Sequence, residues 1–119
     1  MGGKAVLETE LFKLKPDPDH EKYLRDYIGK EISFGIRPED LFFKETKTDN
    51  AIPVKITVVE PLGAEIHLWL TTGKESLVAT TEPNLVFKVN DSAYFLPVMK
   101  KARYFDKETE MSIISEEEV

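Results

Sequence analysis

Two Gly-Lys pairs, one His-Glu pair and a single arginine beside a proline turn are the places in this 119-residue chain where residue type and spacing could do chemistry. Gly29-Lys30 and Gly73-Lys74 look at first like the end of a phosphate loop. The positions five before each glycine are Leu24 and Leu68, however, and Glu31 and Glu75 stand where Ser or Thr must follow the lysine to hold magnesium, so no phosphate loop is present. His20-Glu21 begins like a helical zinc motif, but Leu24 occupies the second histidine position and the only other histidine, His67, lies in an expected strand. No serine sits in a nucleophile-elbow pattern. The carboxylate pairs Glu8/Glu10, Asp17/Asp19 and Glu39/Asp40 read as a solvated strand face, a helix cap and first-turn charge, because acid-base work needs a burial their positions do not indicate. "KKAR" (100–103) reads as a solvated turn, and Trp69 with His67 as cover for an apolar layer or an interface. "NDS" at 90–92 matches a glycosylation sequon, which matters only in a secreted protein. That leaves Arg37, in "SFGIRPEDLFF", one of three arginines, as either a ligand reader or the pin of a corner. Its planar guanidinium suits carbonyls or carboxylates near Glu39 and Asp40.

Composition narrows the classes. A chain of this length with 41% hydrophobic residues is one domain in size and can bury one core. A net charge of −6 argues against general nucleic-acid binding, which needs clustered Lys and Arg. With no cysteine there are no disulfides or sulfur-ligated metals, most simply read as an intracellular protein. No apolar run reaches the roughly 20 residues of a membrane span.

The elements that must position these residues are mostly strands. Residues 5–14 are expected as a first strand. A helix follows, with Asp17 as cap, Pro18 in the first turn, Leu24 and Ile28 on one face, and Gly29 past its end. A strand over 31–36 stops at Arg37, because the residue before a proline is pushed out of helical space. Beyond the polar "KETKTDN", Ile52, Val54, Ile56 and Val58 are expected on one face of a strand, and Ile66, Leu68 and Leu70 on one face of the next, with His67 and Trp69 opposite. "TTGK" reads as a hairpin turn into "ESLVATT", and shorter strands are expected over 90–98 and 102–105. The acidic end over 115–119 is expected to be disordered. The pattern is a mainly β, small sandwich or partly open barrel with one helix.

Taken in order, "GKEISFGIRPEDL", "VKITVVEPLGAEIHLWL", "LVA" and "ARYFDKETEMSI" resemble the C-terminal regulatory region of maltose-type ABC importer ATPase subunits, which carries the small OB-fold-like barrel called the TOBE domain. The resemblance runs from about Gly29 to Ile113. It implies a single non-catalytic regulatory domain over residues 1–119, excised from a longer chain, that holds two subunits together as a homodimer. Through the missing ATPase domain it would act beneath membrane permease subunits and receive signals from a regulatory protein at the cytoplasmic side. ATP and magnesium would belong only to that missing domain, with no cofactor here and no nucleic-acid partner. Within it Gly35, Pro38, Phe105 and Asp106 are candidate structural corners, and Arg37, Glu60 and Gly63 are candidate contacts with a twin subunit or partner. Where relatives of that region carry a glycine in the turn before the later barrel strand, this chain has Asn90, after glycine the residue best suited to a left-handed turn. Two alternatives stand beside this: a stand-alone TOBE module binding an oxyanion such as molybdate, and a nucleic-acid-binding barrel, which would need Trp69, Tyr94 and Tyr104 on one basic face.

Overall fold

A computed structural model of the chain describes residues 6–9 and 12–114. Nine strands are described: β1 (Leu7–Glu8), β2 (Lys13–Leu14), β3 (Ile32–Gly35), β4 (Leu41–Lys44), β5 (Ile52–Pro61), β6 (Ile66–Thr71), β7 (Ser76–Thr81), β8 (Ser92–Pro97) and β9 (Arg103–Asp106). They form a five-stranded antiparallel sheet in the order β4-β8-β5-β6-β7 and two small pairs, β1-β2 and β3-β9. The large sheet curls until its edge strands β4 and β7 approach each other, giving a half-barrel.

The core sits inside that curl. Ile52, Val54 and Ile56 from β5, Ile66, Leu68 and Leu70 from β6, and Phe95 from β8 are buried, each at every second position. Val58 departs from this alternation. A bulge between Ile56 and Val58 sets Val58 opposite Trp69 and Val59 opposite Leu68, so Val59 packs against the core and Val58 turns to solvent at 46% exposure. The Thr57 hydroxyl secures the bulge by donating to the Trp69 carbonyl at 3.1 Å.

Three further expectations are corrected. The single strand over 5–14 is instead the hairpin β1-β2, in which Leu7 pairs with Leu14, turned by the Thr9 hydroxyl and its bonds with Phe12; residues 5, 10 and 11 lie outside those described. The helix is real but short. Only α1 (Glu21–Leu24) is α-helical, flanked by 3-10 turns at Pro18–His20 and Arg25–Tyr27, with Asp17 capping the Asp19 N–H at 2.9 Å. Ile28 already has extended backbone and is 64% exposed, so it does not share Leu24's buried face; Gly29, at φ 84°, turns the chain into β3. β4 was not expected. Leu41 and Phe43 supply its inward face against the core, too short a run to show a period of two. Asn90 does take a left-handed backbone, at φ 76°. The expected disorder of 115–119 lies outside the described residues.

Candidate functional site

Arg37 ends β3's extension with extended backbone, and Pro38 opens a 3-10 turn, Pro38–Asp40, whose last residue is brought back under the guanidinium. Arg37 Nε donates to Asp40 Oδ2 at 2.8 Å, and its Nη1 lies 3.9 Å from Glu39. Asp40 is buried, which corrects the expectation that its position in the first turn indicates no burial: Lys101 Nζ lies 3.7 Å from its other oxygen, and its carbonyl accepts from the Val98 N–H. One carboxylate thus ties the β3-β4 corner to the 3-10 turn Met99–Lys101 that leads into β9. The bond to Asp40, then the charges of Asp40 and Glu39, raise the Arg37 pKa further above its ordinary value. Of "KKAR", Lys100, Lys101 and Arg103 are exposed, while Ala102 is buried.

The other corner residues fall into two places. Gly35 lies beside Phe105 in the β3-β9 pair: a side-chain carbon added there would meet the Phe105 ring at 3.4 Å. Asp106 is at the opposite end of the same pair, across from Ile32. Its carboxylate accepts from the N–H groups of Glu108, at 2.8 Å, and Thr109, at 3.1 Å, and closes the turn that ends β9. The Thr109 and Glu108 N–H groups, helped by the Tyr27 hydroxyl and Lys30, hold this carboxyl below its ordinary value of 3.8. A depressed folded-state pKa contributes stability that is fully present above the unfolded value and is lost as pH falls through the folded one. We expect thermal melting of the wild type to fall more steeply than that of Asp106→Ala as pH drops below about 4. Parallel melting curves for the two would show that this turn does not contribute to acid sensitivity.

Glu60 and Gly63 lie elsewhere, at the hairpin joining β5 to β6. Gly63 has φ 82° and nothing within 4 Å of where a side chain would start, so a left-handed turn explains this glycine better than a close approach. Glu60 faces His67 across the ladder, and His67 Nε2 lies 3.1 Å from Glu65; Leu62, in the turn, is half exposed. Among the described residues no hydrogen bond or ion pair joins Arg37 to Glu60 or Gly63.

Gly29 and Gly73 turn directly into strands rather than heading a helix, so neither Gly-Lys pair can cradle a phosphate on a helix N-terminus. No cluster of His, Cys, Asp or Glu among the described residues is placed to hold a metal ion. Tyr104 is fully buried and therefore cannot join Trp69 and Tyr94 on an exposed basic face. Sequence reading passed over its real partner: Tyr104 OH lies 3.1 Å from Nδ1 of buried His20, their rings edge-on at 5.5 Å, docking the helical segment on β9. Burial, and then the charge of Asp17, push the Tyr104 hydroxyl well above its ordinary value, so it remains a neutral phenol. A lone histidine in a polar helix start gave no signal of that pairing.

A curled five-stranded antiparallel sheet, with a short helical segment docked beside it on β9, is a small OB-fold-like barrel. The TOBE domain family matches residues 34–94, from β3 through the middle of β8, and this chain belongs to that family. It is also similar to the oligosaccharides import ATP-binding protein MsmX of Bacillus subtilis, with 38% identity over 77% of this chain and 27% of that protein. The trehalose/maltose import ATP-binding protein MalK of Thermococcus litoralis is 32% identical over 86% of this chain and 29% of its own length. The ABC transporter ATP-binding protein YcjV of Escherichia coli K12 is 31% identical over 94% of this chain and 31% of its own length. The chain thus spans between about a quarter and a third of these relatives. No helix among the described residues is long and apolar enough to cross a membrane.

Proposed function

We propose that this chain is the non-catalytic regulatory and dimer-forming part of the ATP-binding subunit of an ABC importer for a sugar or related solute. The observation that supports this best is the extent of the match. Relatives that align with up to 94% of the chain are named as ATP-binding proteins, while the chain itself holds no phosphate-loop pattern and spans less than a third of them. ATP chemistry would reside in the part of the subunit that this chain does not contain. The barrel's task would be association: with a twin subunit, with the ATPase domain and through it the permease at the cytoplasmic face, and with a regulatory protein.

Glu60, at the β5-β6 hairpin beside exposed Leu62, offers a charge at the rim of such a contact, and Arg37 and Gly63 are its other candidates. Arg37 is already engaged with Asp40, so its contribution to a partner would come through the unfilled part of its guanidinium. We expect Glu60→Lys to weaken self-association in sedimentation while leaving the melting temperature within about 2 °C, because exposed substitutions change stability little. Unchanged association with an intact fold would remove this hairpin from the interface.

A further inference from the structure

The register of the large sheet gathers six side chains into one block on its outward face. Lys44 lies across from Tyr94, and Tyr94 across from Pro53; in the next row Ser92 lies across from Lys55, and Lys55 across from Thr71. Each is one position out of step with the core residues Phe43, Ile52, Val54, Phe95 and Leu70, so all six face away from the core. They line one open groove, bounded on one side by the Thr72-Gly73 turn of the β6-β7 hairpin.

What marks this groove is its unused donors. Lys44 Nζ, Lys55 Nζ, Ser92 Oγ and Tyr94 OH make no ion pair or side-chain hydrogen bond with the other described residues. The lining's one carboxylate, Glu45, follows β4 rather than lying between the lysines. Lys44 and Lys55 stand two strands apart and two residues out of level, about 12 Å at ordinary sheet spacing, with a single anion seated over Tyr94 in reach of both side chains. Such a pair is not the chain's general character, since its net charge is −6. The Tyr94 ring, with Pro53 beside it in the ladder, adds a flat apolar surface next to the cations.

We infer that this groove is a binding site for a small organic phosphate, a sugar phosphate, with the phosphate between Lys44 and Lys55 and the sugar ring against Tyr94. The site lies within one copy of the chain and uses none of the residues given to the subunit interface, so it stands independently of the proposed function. The test is an NMR titration of the uniformly 15N-labelled chain with glucose 6-phosphate, inorganic phosphate and glucose. Glucose 6-phosphate should give saturable shifts confined to β4, β5, β8 and the Thr72-Gly73 turn. Affinity should fall by about tenfold or more in the Lys44→Gln/Lys55→Gln double variant, which removes two charge-assisted bonds at exposed positions. Shifts spread over lysines across the whole surface, or an unchanged affinity in the double variant, would overturn the site. Inorganic phosphate binding as tightly as the sugar phosphate, or glucose binding equally well, would overturn its assignment to a sugar phosphate.

Discussion

Tyr104→Ala is expected to destabilise the chain by about 3–5 kcal/mol, the range for truncating a large aromatic in a closed core. Tyr104 is fully buried in β9, edge-on to His20 and tilted against Phe34 at 6.1 Å, so the cavity would open where the helical segment, β3 and β9 meet. Against a typical total of about 5–15 kcal/mol, that loss is enough to leave a measurable unfolded population. Tyr104→Phe keeps the ring and removes only the hydroxyl, leaving Nδ1 of buried His20 without its partner. Its expected cost is about 1–2 kcal/mol. Urea unfolding of both variants separates the packing from the hydrogen bond. An alanine variant within about 1 kcal/mol of wild type would show that the β3-β9 pair does not belong to the cooperative core.

The second large effect is expected at Asp40. Its carboxylate is nearly closed off from water while both cations on it stay half in solvent, with Arg37 and Lys101 side chains each 56% exposed. Removing the acid lets the two cations hydrate again, so Asp40→Ala should cost about 2 kcal/mol, less than the 3–5 kcal/mol seen when a charge is stranded in an interior. Asp40→Asn keeps the shape and one acceptor for Arg37 Nε, and should cost about half as much. The effect on association is as informative as the stability. If Asp40→Ala loosens the corner and self-association falls with it while Glu60→Lys leaves association intact, the Arg37 corner rather than the β5-β6 hairpin carries the contact.

How much of this was legible beforehand depended on how local each signal was. The alternation in β5 and β6 named six of the buried core residues, because each of those strands has one face in the core and one outside. Gly29 announced the end of the helical segment, Asn90 its left-handed turn, Asp17 its cap, and Pro38 the tight turn after Arg37. β4 was illegible because four residues cannot establish a period, and the hairpin at 7–14 because its turn is made by Thr9 and Phe12, without glycine, proline or asparagine. Val58 was misplaced because a bulge changes the face of every residue after it, and neither Thr57 nor Val58 differs in type from ordinary strand residues.

The candidate sites divide along the same line. Arg37 and a carboxylate three residues on could be paired from spacing, since a proline-led turn brings those positions together whatever surrounds them. That Asp40 is buried, and shared with Lys101 61 positions away, required the β8-β9 connection to close over the corner. His20 with Tyr104, and Lys44 with Tyr94 and Lys55, are likewise products of strand pairing between distant segments.

By itself, then, the sequence determined the class of this protein: the β periodicity, the positions of the turns, and the ordered stretches from "GIRPE" to "VEPLG" that lie within the TOBE match. Each of these is written in contacts along a few neighbouring residues. Only the tertiary structure decided which charges are buried, which donors are left without acceptors, and which face each residue after the bulge presents. Those properties arise when strands far apart in the chain are set side by side, and the spacing of residues within any one strand does not contain them.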